Sequence, residues 1–152
     1  MQPINLTSVK KELVINASQQ TAFKVFIEQI HLWWPRSHHT GSADMTGTVI
    51  EQKVNGRWYS THADNTEADI GYVMQYDPYD LLVLAWQLDG DFKCDPTLVT
   101  EVVVEFIAEG PQTTLVKFEH QNLHKLNNDK TALSMNEGWG MILNLYKQQL
   151  EK

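Results

Sequence analysis

The sequence predicts an α+β protein: a strand, a helix, a meander of antiparallel strands and a long closing helix. Two observations carry this. Apolar residues recur at three and four over residues 19–30 and 130–150, but at two between 46 and 121. Within that middle region the turn signatures Asn55-Gly56, Asp64-Asn65-Thr66, Asp77-Pro78 and Glu109-Gly110-Pro111-Gln112 separate the runs. Turns so short leave no space for crossover helices, so the strands pair antiparallel.

Residues 11–15 alternate weakly and carry β-branched side chains, which reads as the first strand. Ser18 offers an N-cap for a helix over 19–30, with Ala22, Phe23, Phe26, Ile27 and Ile30 on one face. Pro35 stops it, because the residue ahead of a proline is pushed out of the helical region. The stretch Trp33-Trp34-Pro35-Arg36-Ser37-His38-His39 is then a connector or a short second helix, followed by a turn-rich 40–44. Strands are expected over 48–53 and 57–62, joined at Asn55-Gly56 by a type I′ turn. Further strands follow over 68–76, 81–87, 98–108 and 114–121, six after the helix. In 130–150, Met135, Trp139, Ile142, Leu143, Tyr146 and Leu150 make one stripe, opposite Asn136, Asn144, Lys147 and Gln148. Such a helix needs an apolar surface, and the sheet is the one candidate large enough.

Length and charge set the class. The 152 residues fit one domain, 1–152, with a core that needs no staples. Twelve Lys and Arg against 19 Asp and Glu give a net charge of −7. That balance excludes a nucleic-acid partner, which demands clustered basic residues. Lys10-Lys11 is the only adjacent basic pair, and the longest apolar run, 81–86, is too short for membrane insertion. Cys94, the one cysteine, excludes an internal disulfide. No apolar leader precedes Lys10, so the expected compartment is the cytoplasm. The acidic surface fits a monomer.

The faces of the strands point to an interior that is aromatic but not purely apolar. In 98–108 the inward set is Leu98, Thr100, Val102, Val104, Phe106 and Ala108, and in 114–120 it is Thr114, Val116, Phe118 and His120. In 81–87 it is Leu82, Leu84 and Trp86, and in 57–62 it is Trp58, Ser60 and His62. Small polar groups on an apolar concave face fit a pocket with a few orienting groups. They also fit an ordinary core whose polar atoms bond to one another. Gly138 and Gly140 flank Trp139, each at roughly 1 kcal/mol of helix propensity against Ala, and close approach to the sheet, or room beneath the helix, would explain both.

Several segments, taken in order, resemble a known family. Val14-Ile15-Asn16-Ala17-Ser18, Ala22-Phe23-Lys24-Val25-Phe26 and Ile30-His31-Leu32-Trp33-Trp34-Pro35 are similar to the opening of START-related SRPBCC proteins. The nearest subgroup comprises single-domain relatives of the activator of the heat-shock-protein-90 ATPase. Glu51-Gln52-Lys53-Val54-Asn55-Gly56-Arg57-Trp58 resembles its hairpin, which more usually has Gly-Gly before the Arg. Gly71-Tyr72-Val73, Asp77-Pro78 with Leu81-Leu82-Val83 and Trp86, Thr100-Glu101-Val102, residues 115–120, and Gly138-Trp139 with Ile142-Leu143 continue the series. The resemblance implies a helix-grip fold: a curved seven-stranded antiparallel sheet wrapped around the C-terminal helix, with one or two short helices after strand 1. It also implies a cavity between sheet and helix for a lipid, sterol or polyketide-like molecule. The subgroup's namesake engages its chaperone partly through a separate N-terminal region, for which these 152 residues leave no place, so a chaperone partner is the weakest implication.

The chemistry-bearing residues are few. No nucleophile elbow, phosphate loop or dinucleotide fingerprint occurs, so no cofactor is implied and no catalytic residue is assigned. His38-His39 point opposite ways on an extended chain, and with no Cys partner or His-Glu-x-x-His helix no metal site is expected. Asp64 is placed either to orient His62 or to serve its own turn. His120 points inward, either onto a ligand or into a satisfied core. Asp91 and Asp95 are expected to raise the Cys94 thiol, and Arg57 to pair with Glu51. The expected ligand-binding set is Trp34 and His39 at the mouth, Trp58, Ser60, Trp86 and His120 on the sheet, and Trp139 and Leu143 on the helix. The reading is a binding protein for an apolar small molecule. An enzyme of the same fold using a cavity histidine, or a protein-interaction module, are the alternatives.

Overall fold

A computed structural model describes residues 8–35, 43–89, 93–126 and 129–151. Strand β1 (Val9–Ile15) leads into helices α1 (Gln19–Ile27) and α2 (Ile30–Trp33). Six strands follow: β2 (Met45–Ile50), β3 (Arg57–His62), β4 (Glu67–Asp77), β5 (Leu81–Trp86), β6 (Thr100–Gly110) and β7 (Thr113–Gln121). A 3-10 turn (Leu123–Leu126) then precedes helix α3 (Asp129–Leu150). The seven strands form one antiparallel sheet in the order β1-β7-β6-β5-β4-β3-β2. The meander is as the periodicity predicts, with β1 returning beside β7 so that Val9 faces His120 and Ile15 faces Thr114.

The sheet curls, and its register shifts give the reason. Shifts fall at Met45/Gly47, Trp58/Tyr59, Val73/Gln75 and Ala108/Gly110. An extra residue on one strand bends it and increases its twist. The concave face carries the buried sets Trp58, Ser60, His62; Leu82, Leu84, Trp86; Thr100, Val102, Val104, Phe106; and Thr114, Val116, Phe118, His120. Helix α3 lies against that face through Trp139, Ile142, Leu143 and Tyr146. This is the helix-grip arrangement.

Four local expectations are corrected. The helix over 19–30 is two helices, although its apolar face is continuous. Ser18 caps α1 by accepting from the Thr21 N–H, but the helix stops at Ile27, and the Trp33 indole N–H folds back to donate to the Val25 carbonyl at 2.9 Å. The last carbonyls of a helix lack partners within it, and the indole takes one of them. The strand expected over 48–53 is β2, which ends at Ile50. Residues 51–56 then form a wider loop with a positive φ at Asn55, not a two-residue type I′ turn. Gly56 is required there for space: a Cβ would come within 2.6 Å of the Glu51 carbonyl. The strand expected over 98–108 is shifted to 100–110. Leu98 sits half-buried in a turn closed on Asp95, and the bulge at Ala108/Gly110 turns Ala108 out to solvent. Finally, Gly140 is uncrowded: a Cβ there would meet only Lys11 Nζ at 3.8 Å, so of the two expected reasons close approach does not apply to it.

Candidate ligand site

Of the eight expected site residues, the structure brings seven into the interior, and all seven are buried. His39 lies outside the described residues. The seven do not form one kind of group. Four are indoles in mutual contact, two are polar side chains bonded within the protein, and Leu143 closes the helix side.

Trp34 is the hub of the indoles. Its ring lies 5.7 Å from Trp58, 6.4 Å from Trp86 and 5.7 Å from Trp139, and Trp33 follows at 6.1 Å. Trp58 and Trp86 meet at 5.5 Å, and Trp86 and Trp139 at 5.6 Å. Most of these contacts are steeply inclined, the orientation favoured by ring quadrupoles. The sheet permits the Trp58–Trp86 contact because Gly71 lies between them, paired with Trp58 on one side and Trp86 on the other. A Cβ at Gly71 would sit 1.7 Å from the Ala85 carbonyl oxygen, so no other residue fits.

The polar residues are wired in a chain. Trp139 Nε1–H donates to His120 Nδ1 at 2.9 Å. An indole nitrogen only donates, so Nδ1 is bare and the ring proton is on Nε2. Nε2–H donates to Thr100 Oγ1 at 2.7 Å, and that hydroxyl donates to the Trp86 carbonyl at 3.2 Å. Burial pushes the His120 imidazole down from 6.5 to about 3, so it is neutral at physiological pH. Ser60 and His62 form a second closed pair. His62 Nδ1–H donates to the Ala43 carbonyl at 2.9 Å, and Nε2 accepts from Ser60 Oγ at 2.8 Å. Thr114 donates to the Ala17 carbonyl at 2.8 Å. The Trp58 indole N–H is buried and has no acceptor among the described residues.

Other expected chemistry resolves into structure. Asp64 accepts from the Thr66 N–H and hydroxyl, at 3.1 Å and 2.5 Å, and these bonds hold its carboxyl below the usual range. It serves its own turn and is not the partner of a His62 ring nitrogen. Arg57 pairs with Asp69 at 2.9 Å and Glu67 at 3.1 Å and stacks over Tyr59, while Glu51 receives the Arg57 backbone N–H at 2.8 Å. The expected Arg57–Glu51 ion pair is therefore replaced by two pairs across β3 and β4. The Cys94 thiol is pushed up, first by partial desolvation and then by Asp69 and Asp95; the expected contribution of Asp95 is present, and Asp91 lies outside the described residues.

A cleft of about 310 Å³ opens on the outside, between α2 and the end of α3. Leu32, Trp33, Trp34, Pro35 and Leu145 form its apolar walls, and His31, Gln148 and Gln149 its polar ones. Sequence reasoning placed Trp34 at a mouth but missed the helix side of it, since Gln148 reads only as the wet face of α3 and Gln149 carries no signal of its own.

A curled seven-stranded sheet that grips its C-terminal helix around an aromatic interior defines a protein of the helix-grip class. The chain belongs to the family of Activator of Hsp90 ATPase homolog 1-like proteins, whose pattern matches residues 16–151. No curated protein matches the chain. Among solved structures it is similar to Txn09, an anthrahydroquino-γ-pyrone synthase complexed with SUM, at 27% identity and TM-score 0.67, covering 97% of this chain and 99% of that one. It is also similar to CalC, a self-sacrificing resistance protein from Micromonospora echinospora, at 29% identity and TM-score 0.72, covering 96% and 95%. The Aha1 dimer from Colwellia psychrerythraea shares the fold at 18% identity and TM-score 0.63, covering 95% and 96%.

Proposed function

We propose that the protein binds an apolar small molecule, a lipid, sterol or polyketide-like compound, in the space between sheet and α3. The observation that carries the reading is the cluster of Trp34, Trp58, Trp86 and Trp139, which spans a short helix, two strands and the long helix. Indoles offer large apolar contact area with a polar handle. A core that needed only filling does so with Leu, Ile and Val at less cost in polar groups. Txn09, complexed with SUM, supports the reading at the level of a relative. Titration with lipids, sterols, flavonoids and polyketide-like compounds should give a saturable change in Trp fluorescence, and Trp139→Ala should abolish it. No saturable response from any class would overturn the reading.

A second reading, turnover of the bound molecule, is favoured by the synthase activity in the name of Txn09. In this chain His120 is poorly suited to acid–base chemistry, since both its ring nitrogens are bonded internally. Catalysis would rest on positioning the ligand. We place the protein in the cytoplasm as a monomer. Among the described residues no helix is long and apolar enough to cross a membrane, and light scattering should return about 17.5 kDa.

A further inference from the structure

The interior of this protein leaves hardly any polar atom to chance. Trp139, His120, Thr100, Ser60, His62 and Thr114 all bond within the chain. Trp33 donates to Val25 and Tyr146 to Ala22 in the same way. The Trp58 indole N–H departs from that pattern: its side chain is 1% exposed and it has no acceptor among the described residues. A buried donor left without an acceptor costs about 1–3 kcal/mol and calls for an explanation.

Trp58 is one ring away from the outside. The Trp34 ring packs edge-on against it, 5.7 Å away at 84°, and the same Trp34 lines the cleft between α2 and α3. Trp34 is the residue after the last turn of α2, with an extended backbone. Turning that one side chain would join the cleft to the face of Trp58.

We infer that the Trp58 N–H is the donor that holds the ligand, and that the ligand is a flat aromatic compound carrying a carbonyl or ether oxygen, admitted past Trp34. This rests on the apolar-ligand reading above and narrows it. The surrounding rings of Trp34 and Trp86 supply stacking and edge contacts to a planar molecule. The Trp58 donor supplies the selection, since an acceptor oxygen there satisfies a group the folded chain leaves unsatisfied.

The test compares 9-fluorenone with fluorene, two tricyclic compounds of the same outline that differ by one carbonyl. By calorimetry the wild type should bind the ketone roughly tenfold more tightly, the order expected for one newly satisfied buried donor. In Trp58→Phe the two should bind alike, whatever the change in overall affinity. Replacing the Trp58 indole by benzothiophene removes only the N–H and gives the same comparison with ring shape preserved. In the nitrogen-15-labelled wild type, one indole N–H signal should move downfield with the ketone and stay with the hydrocarbon. Trp34→Ala should speed association of both compounds several-fold.

Equal affinities in the wild type, or a ketone preference that survives loss of the Trp58 N–H, would overturn the inference while leaving apolar binding in place. An unchanged association rate in Trp34→Ala would overturn the route past Trp34. Failure of both compounds to bind, with failure of the wider ligand panel, would sink the underlying reading as well.

Discussion

The Trp139 indole on α3 and the His120 imidazole on β7 are joined by a 2.9 Å hydrogen bond that fixes the tautomer of the histidine. Helix and sheet are thus held in register by a polar contact inside an aromatic core, in addition to packing.

Burial of that imidazole makes the fold acid-sensitive. His120 is held at about 3 in the folded state against 6.5 for an ordinary histidine. Below pH 6.5 the unfolded chain takes up a proton that the folded chain refuses, so the contribution is complete above that pH and is lost as pH falls towards 3. The slope is about 1.4 kcal/mol per pH unit. Urea unfolding between pH 7 and pH 5 should show the wild type losing on the order of 2 kcal/mol more than His120→Gln. Parallel pH profiles would remove the linkage.

Trp139→Phe keeps an aromatic ring on Phe118, 4.5 Å away, but strips the donor from His120 Nδ1. The expected cost is roughly 1–3 kcal/mol of unfolding free energy. The His120 ring signals should also lose their fixed tautomer in nitrogen NMR.

Two glycines should respond in opposite directions. Gly71→Ala drives a methyl group into the Ala85 carbonyl, separating β4 from β5, and should cost on the order of 3 kcal/mol. Gly140→Ala meets no obstacle on a helix and should stabilise by about 0.5–1 kcal/mol. Thermal melts of both variants decide the matter.

Tyr79 has a φ of 118° in the turn after Asp77-Pro78, a region that glycine favours. Its ring compensates by packing edge-on against Phe23 at 5.6 Å and meeting Gln20. Tyr79→Ala loses the ring and keeps the strain, whereas Tyr79→Gly loses both. The glycine variant should be the more stable of the two by about 1 kcal/mol, measured by chemical denaturation.

Period and turn chemistry make the architecture legible, because a half-buried strand and an amphipathic helix each print their geometry on the chain. The break between α1 and α2 is not legible. Ile27 and Ile30 keep the helical spacing across it, and what ends α1 is a bond from Trp33 that no local pattern records. The inward direction of Thr100, Ser60, His62 and His120 follows from alternation, but their partners do not. Thr100 meets His120 across two strands, and Ala43 reaches His62 from a loop. Polar residues that read equally as pocket groups or core groups prove to be bonded to one another. Trp58, whose buried N–H has no acceptor among the described residues, reads in the sequence as one more apolar residue.

All five tryptophans belong to one connected set of ring contacts, with no neighbouring pair farther apart than 6.4 Å. Excitation absorbed by any indole is shared with the rest before it is emitted. Ultraviolet emission and near-ultraviolet dichroism therefore belong to the cluster as a single coupled chromophore, and an event at one ring is broadcast through the signal of all five.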